Sequence, residues 1–265
     1  MSTERLRAEV ERLKGRVPSR RPNIPTDRVE FAATLGLDPD PWQERLLRSE
    51  ASRVLLNCSR QSGKSTTSAV VALHTALSEP GSLVLALAPA LRQSQELFQK
   101  ISAFYRTVGG APADSARKLG MELSNGSRIE ALPGTERTVR GFSGASLLLV
   151  DEAARVDDGL YYAVRPMLAV SGGRLMMLST PFGKRGVFFE EWTDGEGWER
   201  YEVPAAECPR IPAEFLEEER RSLPDWIYRQ EYGCEFTETD DQVFGYDLVQ
   251  GSISPEVKPL FEEAG

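Results

Sequence analysis

SRVLLNCSRQSGKST, residues Ser52–Thr66, decides the fold. Arg53–Asn57 (RVLLN) is short, branched and apolar, the composition of a buried parallel strand. It runs into Gly63-Lys64-Ser65, and Thr66–Leu77 has helix-like composition. Strand, tight loop, GKS and helix together form the context that a phosphate-binding loop requires. Glycine lets backbone N–H groups close around a phosphate, and the following helix adds its positive N-terminal end. Lys64 is then placed for the β- and γ-phosphates and the Ser65 hydroxyl for Mg²⁺. One position departs from G-x-x-x-x-G-K-S: the first glycine is Cys58.

Working outward, Leu83–Ala88 (LVLALA), Arg128–Leu132 (RIEAL), Leu147–Val150 and Arg174–Ser179 (RLMMLS) read as further strands. Helical stretches alternate with them, at Pro89–Val108 (stopped by Gly109-Gly110) and at 158–170 (closed by Gly172-Gly173). Asn125-Gly126 marks a turn within a loop or hairpin edge over 111–126. This alternation specifies an open, mostly parallel α/β sheet flanked by helices. Upstream, Asp27–Gly36 reads as a helix, and Asp40, Pro41 and Gln43 open another as N-cap, first-turn proline and capping-box partner. Leu6, Val10, Leu13 and Val17 predict an amphipathic helix over 3–17, broken from the rest by Pro18, Pro22 and Pro25.

Asp151-Glu152 ends the apolar run LLLV. A carboxylate at the C-terminal end of a strand beside the phosphate-loop strand suits Mg²⁺, the role expected of Asp151. The adjacent Glu152 is placed to polarise an attacking water, which points to an ATPase with a glutamate base. The competing reading is a DE pair capping the next helix. Arg60 within the loop and Arg140 in TVRGFSGAS are candidates for phosphate contact, although an exposed loop arginine is equally a solvated one.

Composition bounds the rest. Net charge is −8, which excludes a general nucleic-acid coat but not a local contact patch. The charge is uneven: residues 1–22 carry seven Arg or Lys against three Asp or Glu, and 188–242 carry five against seventeen. That second stretch, rich in Trp and Tyr, predicts a small subdomain beside the sheet, with a strand at Arg200–Val203 and helices near 212–222 and 224–233. Three scattered cysteines point to reduced thiols rather than a disulfide framework or zinc site. The only histidine, His74, falls within the helix after the loop and reads as a packing or surface residue. No apolar run suits a membrane span.

Taken together, PWQ at 41–43, SRQSGKS at 59–65, TVRG at 138–141, LLLVDEAA at 147–154, LSTPFG at 178–183 and EYGCEF at 231–236 resemble the ATPase part of the large terminase subunit of tailed bacteriophages. The resemblance covers about residues 40 to 240. It implies a P-loop NTPase of the additional-strand, catalytic-glutamate (ASCE) type with a lid: an N-terminal arm over 1–39, the core over 40–187, the lid over 188–242 and a linker over 243–265. In that family the first loop glycine is commonly replaced and an arginine precedes the glutamine, as Cys58 and Arg60 do here. By resemblance Gln43 recognises adenine. Arg60, Gln61, Ser62, Gly63, Lys64, Ser65 and Thr66 hold ATP, with Arg60 at the γ-phosphate. Ser65 and Asp151 hold Mg²⁺, Glu152 activates water, and Arg140 reaches into a neighbouring subunit's site. Ser179 and Thr180 fall in the motif that couples hydrolysis to movement.

The implied setting is a ring of subunits, five by resemblance, with double-stranded DNA, the portal protein and the small terminase subunit as partners. The implied location is the procapsid portal in the host cytoplasm, with no membrane. The family's nuclease domain needs an acidic cluster to hold its metal ions, and the residues around Asp247 supply no partner carboxylates, so no cleavage is expected of this chain. Rival readings are a helicase-like translocase, an ATP-dependent assembly module with negligible turnover, and a small-molecule kinase.

Overall fold

The computed structural model describes residues 24–110, 119–135, 139, 141–238 and 251–252. The expected helix over 3–17, Arg140, Asp247 and most of the expected linker therefore lie outside the described residues.

Two short helices, α1 (Arg28–Thr34) and α2 (Pro41–Arg48), precede β1 (Arg53–Cys58) and the helix α3 (Lys64–Ser78). Then follow β2 (Leu83–Ala88), α4 (Leu91–Thr107), β3 (Gly120–Glu122), β4 (Arg128–Pro133) and β5 (Leu147–Asp151). A 3-10 turn at Ala153–Arg155 leads to α5 (Asp158–Ala169), β6 (Arg174–Ser179), α6 (Gly186–Thr193) and β7 (Glu199–Val203). The chain then forms α7 (Ala213–Ser222) and α8 (Asp225–Glu231).

The strands make one seven-stranded sheet in the order β3-β4-β2-β5-β6-β1-β7. Every pairing is parallel except that of β3 with β4. One expectation is corrected: β5 does not lie beside β1, because β6 is hydrogen-bonded between them, with Leu55 opposite Met177 and Leu149 opposite Met176. Interior parallel strands buried on both faces carry no alternation, so sequence alone does not say which neighbours which. The inserted strand is what distinguishes the additional-strand architecture.

Alternate residues of each strand feed two cores. Val54, Leu56, Leu147, Leu149 and Met176 pack under α1, α2, α3 and α4 with Phe31, Leu46, Leu73 and Ile101. Leu55, Leu148, Val150 and Met177 face α5 and α6 with Leu160, Val164 and Phe188. The parallel strands end at one edge of this two-sided sheet, and Cys58, Asp151 and Ser179 are brought together there.

The stretch expected as a lid is not wholly beside the sheet. β7 pairs with β1 along its length, Leu56 opposite Tyr201, and a boundary at 187/188 falls inside α6. Beyond β7 the chain loops out through α7 and α8 and returns to the phosphate loop. Ala205 N donates to Tyr232 O (2.8 Å), and Asn57 Nδ2 donates to Cys234 O (2.7 Å).

Candidate nucleotide site

The loop between β1 and α3 has the conformation that its residue types demand. Gly63 is left-handed (φ 94°) at the N-cap of α3. A Cβ built on it would meet Gln43 Nε2 at 2.7 Å and Arg210 Nη2 at 3.2 Å, side-chain ends that would have to shift, so it is the left-handed conformation that calls for glycine here. Cys58 needs no such freedom. It is the last residue of β1, paired with Val203 and fully buried, and only Gln61 (φ 62°) and Gly63 are left-handed nearby. Burial pushes the Cys58 thiol well above its ordinary pKa, so the side chain acts as a small apolar plug.

Two cavities meet at this loop. One, of about 340 Å³, is largely apolar and lies among Ala32, Leu37, Pro39, Leu47 and Val70, with Gln43 as a polar group in its wall. The other, of about 610 Å³, is lined by the whole loop from Arg60 to Thr66 together with Glu152, Arg155 and Thr180. Gly63, Thr66 and Arg210 line both. The capping-box reading of Gln43 is met. Its Oε1 accepts from Asp40 N (2.9 Å), closing the capping box, which turns the amide Nε2 towards Gly63 and the apolar cavity.

The charged groups sit at the strand ends. Ser65 Oγ donates to Asp151 Oδ2 at 3.2 Å, which places a hydroxyl and a carboxylate side by side. Burial raises the Asp151 pKa to about 6, with neighbouring Glu152 adding to the rise; Lys64, the Glu152 N–H and Ser65 oppose it. Glu152 is left-handed (φ 50°), a costly conformation for this residue that turns it out of the strand. Its Oε1 lies 3.3 Å from Lys64 Nζ, and its Oε2 accepts from Arg155 Nη1 at 3.0 Å. Lys64 Nζ also donates to Thr180 Oγ1 (3.3 Å), while Ser179 Oγ turns to Thr180 O. Arg60 pairs with Glu231 of α8, which raises the arginine's pKa, and Arg60 N donates to Glu231 O at 3.1 Å.

The structure thus brings together Gln43, Arg60 to Thr66, Asp151, Glu152, Ser179 and Thr180. Arg155, Glu231, Arg210 and Lys100 were not singled out by the sequence reading. Lys100 Nζ donates to Thr66 Oγ1 at 3.1 Å, and Arg210 bonds Asp40 Oδ1 (2.8 Å) and Ser62 O (2.9 Å). Arg155 was open to discovery as the i+3 partner of Glu152 on a helical turn; Arg210 stands in an acidic stretch whose charge balance concealed it. His74 sits away from the site, Nε2 2.9 Å from Pro25 O and edge-on to Phe31. The three cysteines are free and buried.

Residues 55–250 match the family "Terminase large subunit, T4likevirus-type, N-terminal". The chain belongs to this family. The large terminase subunit of Thermus virus P23-45 is 29% identical over 263 residues, 85% of this chain and 54% of that protein. That of Escherichia phage T5 is 26% identical over 196 residues, 70% of this chain and 44% of that protein. This terminase chain therefore spans about half the length of the curated relatives it matches. In fold it resembles the ATPase domain of the Thermus phage P74-26 large terminase (TM-score 0.68, 24% identity, 78% of this chain and 98% of that one). It also resembles the large terminase from another thermophilic bacteriophage in complex with ATP-gamma-S (TM-score 0.64, 12% identity, 75% and 53%).

Proposed function

We propose that this terminase domain hydrolyses ATP and that hydrolysis drives double-stranded DNA into a procapsid. The observation that carries the reading is the convergence of Lys64, Glu152, Ser65 and Asp151 at the mouth of one glycine-bearing loop, with an apolar cavity alongside. In this reading adenine enters the apolar cavity, where the Gln43 amide meets its polar edge, and the triphosphate lies along Gln61–Ser65 and Thr66. Asp151 and Ser65 are hard oxygen donors placed to hold Mg²⁺, an ion that keeps much of its coordination for phosphate oxygens and water. The ion supplies charge neutralisation at the β- and γ-phosphates. Lys64 leaves Glu152 for the phosphates, and the freed carboxylate oxygen accepts a proton from water as the water oxygen bonds to the γ-phosphorus. The bond to the β–γ bridging oxygen breaks, and ADP and phosphate leave. Arg60 contacts the γ-phosphate from within the subunit. Arg140 of a neighbouring copy completes the site, so turnover rises with assembly into a ring, five-fold by analogy, on the portal in the host cytoplasm alongside the small subunit. DNA is held through its phosphates, because a packaging motor must accept any sequence, and binding weakens steeply with salt. Thr180, touching Lys64, and Ser179 carry the change at the γ-phosphate into the chain after β6.

Steady-state hydrolysis beside binding of a fluorescent ATP analogue tests the reading. Glu152→Gln is expected to lower kcat by about 10³-fold while leaving binding within a few-fold. Turnover that survives this change removes Glu152 as the base. Binding without turnover in the unaltered chain, across a concentration series that assembles it, favours the assembly module instead.

A further inference from the structure

Glu152 carries two carboxylate oxygens, and the loop lysine accounts for only one of them. The other is held by Arg155, three residues on, a residue of the cavity wall that the phosphate loop itself does not require. Arg155 is fixed from three sides. Nη1 donates to Glu152 Oε2 at 3.0 Å, Nη2 lies 3.7 Å from Glu231 Oε1 on α8, and the guanidinium stacks over Phe182, 4.6 Å from its ring centre. The pair with Glu231 is not a solvent-swept surface contact: the side chains retain only 25% and 13% of their exposure. A planar fork bonded to one carboxylate, in ion-pair range of a second and resting on an aromatic floor is restricted in orientation, and it passes that orientation to whatever it binds.

We propose that Arg155 is the positioning residue for Glu152, and that Glu231 makes this positioning depend on where α8 of the lid segment sits. The inference rests on the ATPase reading given above. When Lys64 turns to the phosphates, Glu152 loses its partner at Oε1 and keeps the one at Oε2. Arg155 then holds the carboxylate aimed, with Oε1 open to water. Glu231 is also the partner of Arg60, the loop arginine placed for the γ-phosphate. An incoming γ-phosphate competes with Glu231 for Arg60, and what Glu231 yields there it gains on Arg155. The lid helix and the catalytic acid thereby share one carboxylate between two arginines. In this reading Arg155 acts on the carboxylate and not on phosphate: Nη1 donates to Glu152 and Nη2 lies in ion-pair range of Glu231.

The test is steady-state ATP hydrolysis by the full chain, with fluorescent-analogue affinity and melting temperature measured in parallel. Arg155→Ala is expected to lower kcat by about 10- to 100-fold, with KM and analogue affinity within about threefold. Arg155→Lys keeps the charge but cannot reach both carboxylates, so it falls between Arg155→Ala and the unaltered chain; it also stands in should the alanine variant fail to fold. Glu231→Gln is expected to cost about 3- to 10-fold in kcat, and Arg155→Ala with Glu231→Gln clearly less than the product of the two single effects, because part of what Glu231 does runs through Arg155. A kcat within twofold of the unaltered chain in both Arg155 variants overturns the proposal. So does a loss confined to KM, which makes Arg155 a nucleotide contact, and so does a double variant that loses the product of the two single effects. An unaltered chain that hydrolyses ATP beside an indifferent Arg155→Ala overturns only this inference. An unaltered chain that does not hydrolyse ATP overturns the ATPase reading beneath it.

Discussion

The centre of the sheet and the segment beyond β7 are built on opposite principles. In β1, Val54 to Cys58 are all buried, and residues alternate between two cores that each continue through other strands of the sheet. By contrast α7 buries only Leu216 and α8 only Gln230. Cys208, Ile211 and Phe236 anchor the flanks of this segment in the two cores, but what ties it to the phosphate loop and its surroundings is polar: Asn57 to Cys234 O, Arg60 to Glu231, and Arg210 to Asp40 and Ser62. Apolar burial is non-directional and indifferent to a nucleotide, whereas ion pairs around a phosphate loop compete directly with phosphate. The sheet is therefore built as a platform, and under the proposed function the outer segment is the part whose position ATP would change.

The largest expected effect lies in the platform. Leu149 is fully buried in the middle of β5, two residues before Asp151. Leu149→Ala should cost about 2–5 kcal/mol of stability, read by denaturant unfolding as a lower midpoint at unchanged slope. A loss below about 1 kcal/mol would mean that the centre relaxes as readily as the outer segment, and the contrast between the two regions would fail.

A smaller effect is expected where the regions meet. Arg210 belongs to the outer segment but lines both cavities and bonds to the phosphate loop at Ser62 O. Arg210→Ala removes that strap and leaves the buried Asp40 carboxylate unpaired, while the sheet keeps every apolar contact. Affinity for ATP is expected to fall about tenfold, an effect of about 1.4 kcal/mol, with a loss of melting temperature smaller than that of Leu149→Ala, since the departure of the half-exposed Arg210 opens Asp40 to water. The reverse pattern, unaltered affinity beside a large thermal loss, would assign Arg210 to the platform.

How far the sequence was legible follows the same division. Wherever burial on both faces forced continuous apolar runs, at Leu83–Ala88 or Arg174–Ser179, the strands stood out with nearly their observed bounds. The glycine loop and the Asp151-Glu152 pair were equally legible, since few residue types serve those positions. The order of the strands was not, because a parallel strand buried on both sides carries nothing that names its neighbour. The charged network was hidden for another reason. Arg155 stood within sequence reach of Glu152, but Glu231 and Arg210 look in sequence like ordinary surface charges, and only the folding of the chain beyond β7 brings them to Arg60, Arg155 and Asp40. Charges acquire a role from distance, and distance across 171 residues, as between Arg60 and Glu231, is a property of the folded chain.

The smallest expected effect separates two arginine–carboxylate systems on a single helix. Two residues before Glu231, Arg229 donates to Glu235 through Nε (2.8 Å) and Nη2 (2.5 Å) and lies 3.7 Å from Asp225. By distance alone it is better paired than Arg155 with Glu231. Yet Arg229 lies out in solvent, where water and salt screen the pair and holding two long side chains in register offsets what attraction remains. Glu235 nevertheless raises the pKa of Arg229, a sign of proximity rather than of structural weight. Arg229→Ala should therefore leave the melting temperature, kcat and KM unchanged, at low salt as at high. Glu231→Gln, two residues further on and shielded, should change kcat. If Arg229→Ala matched that loss, the lid helix would be held by its outer face, and the carboxylate shared by Arg60 and Arg155 would no longer be what sets its position.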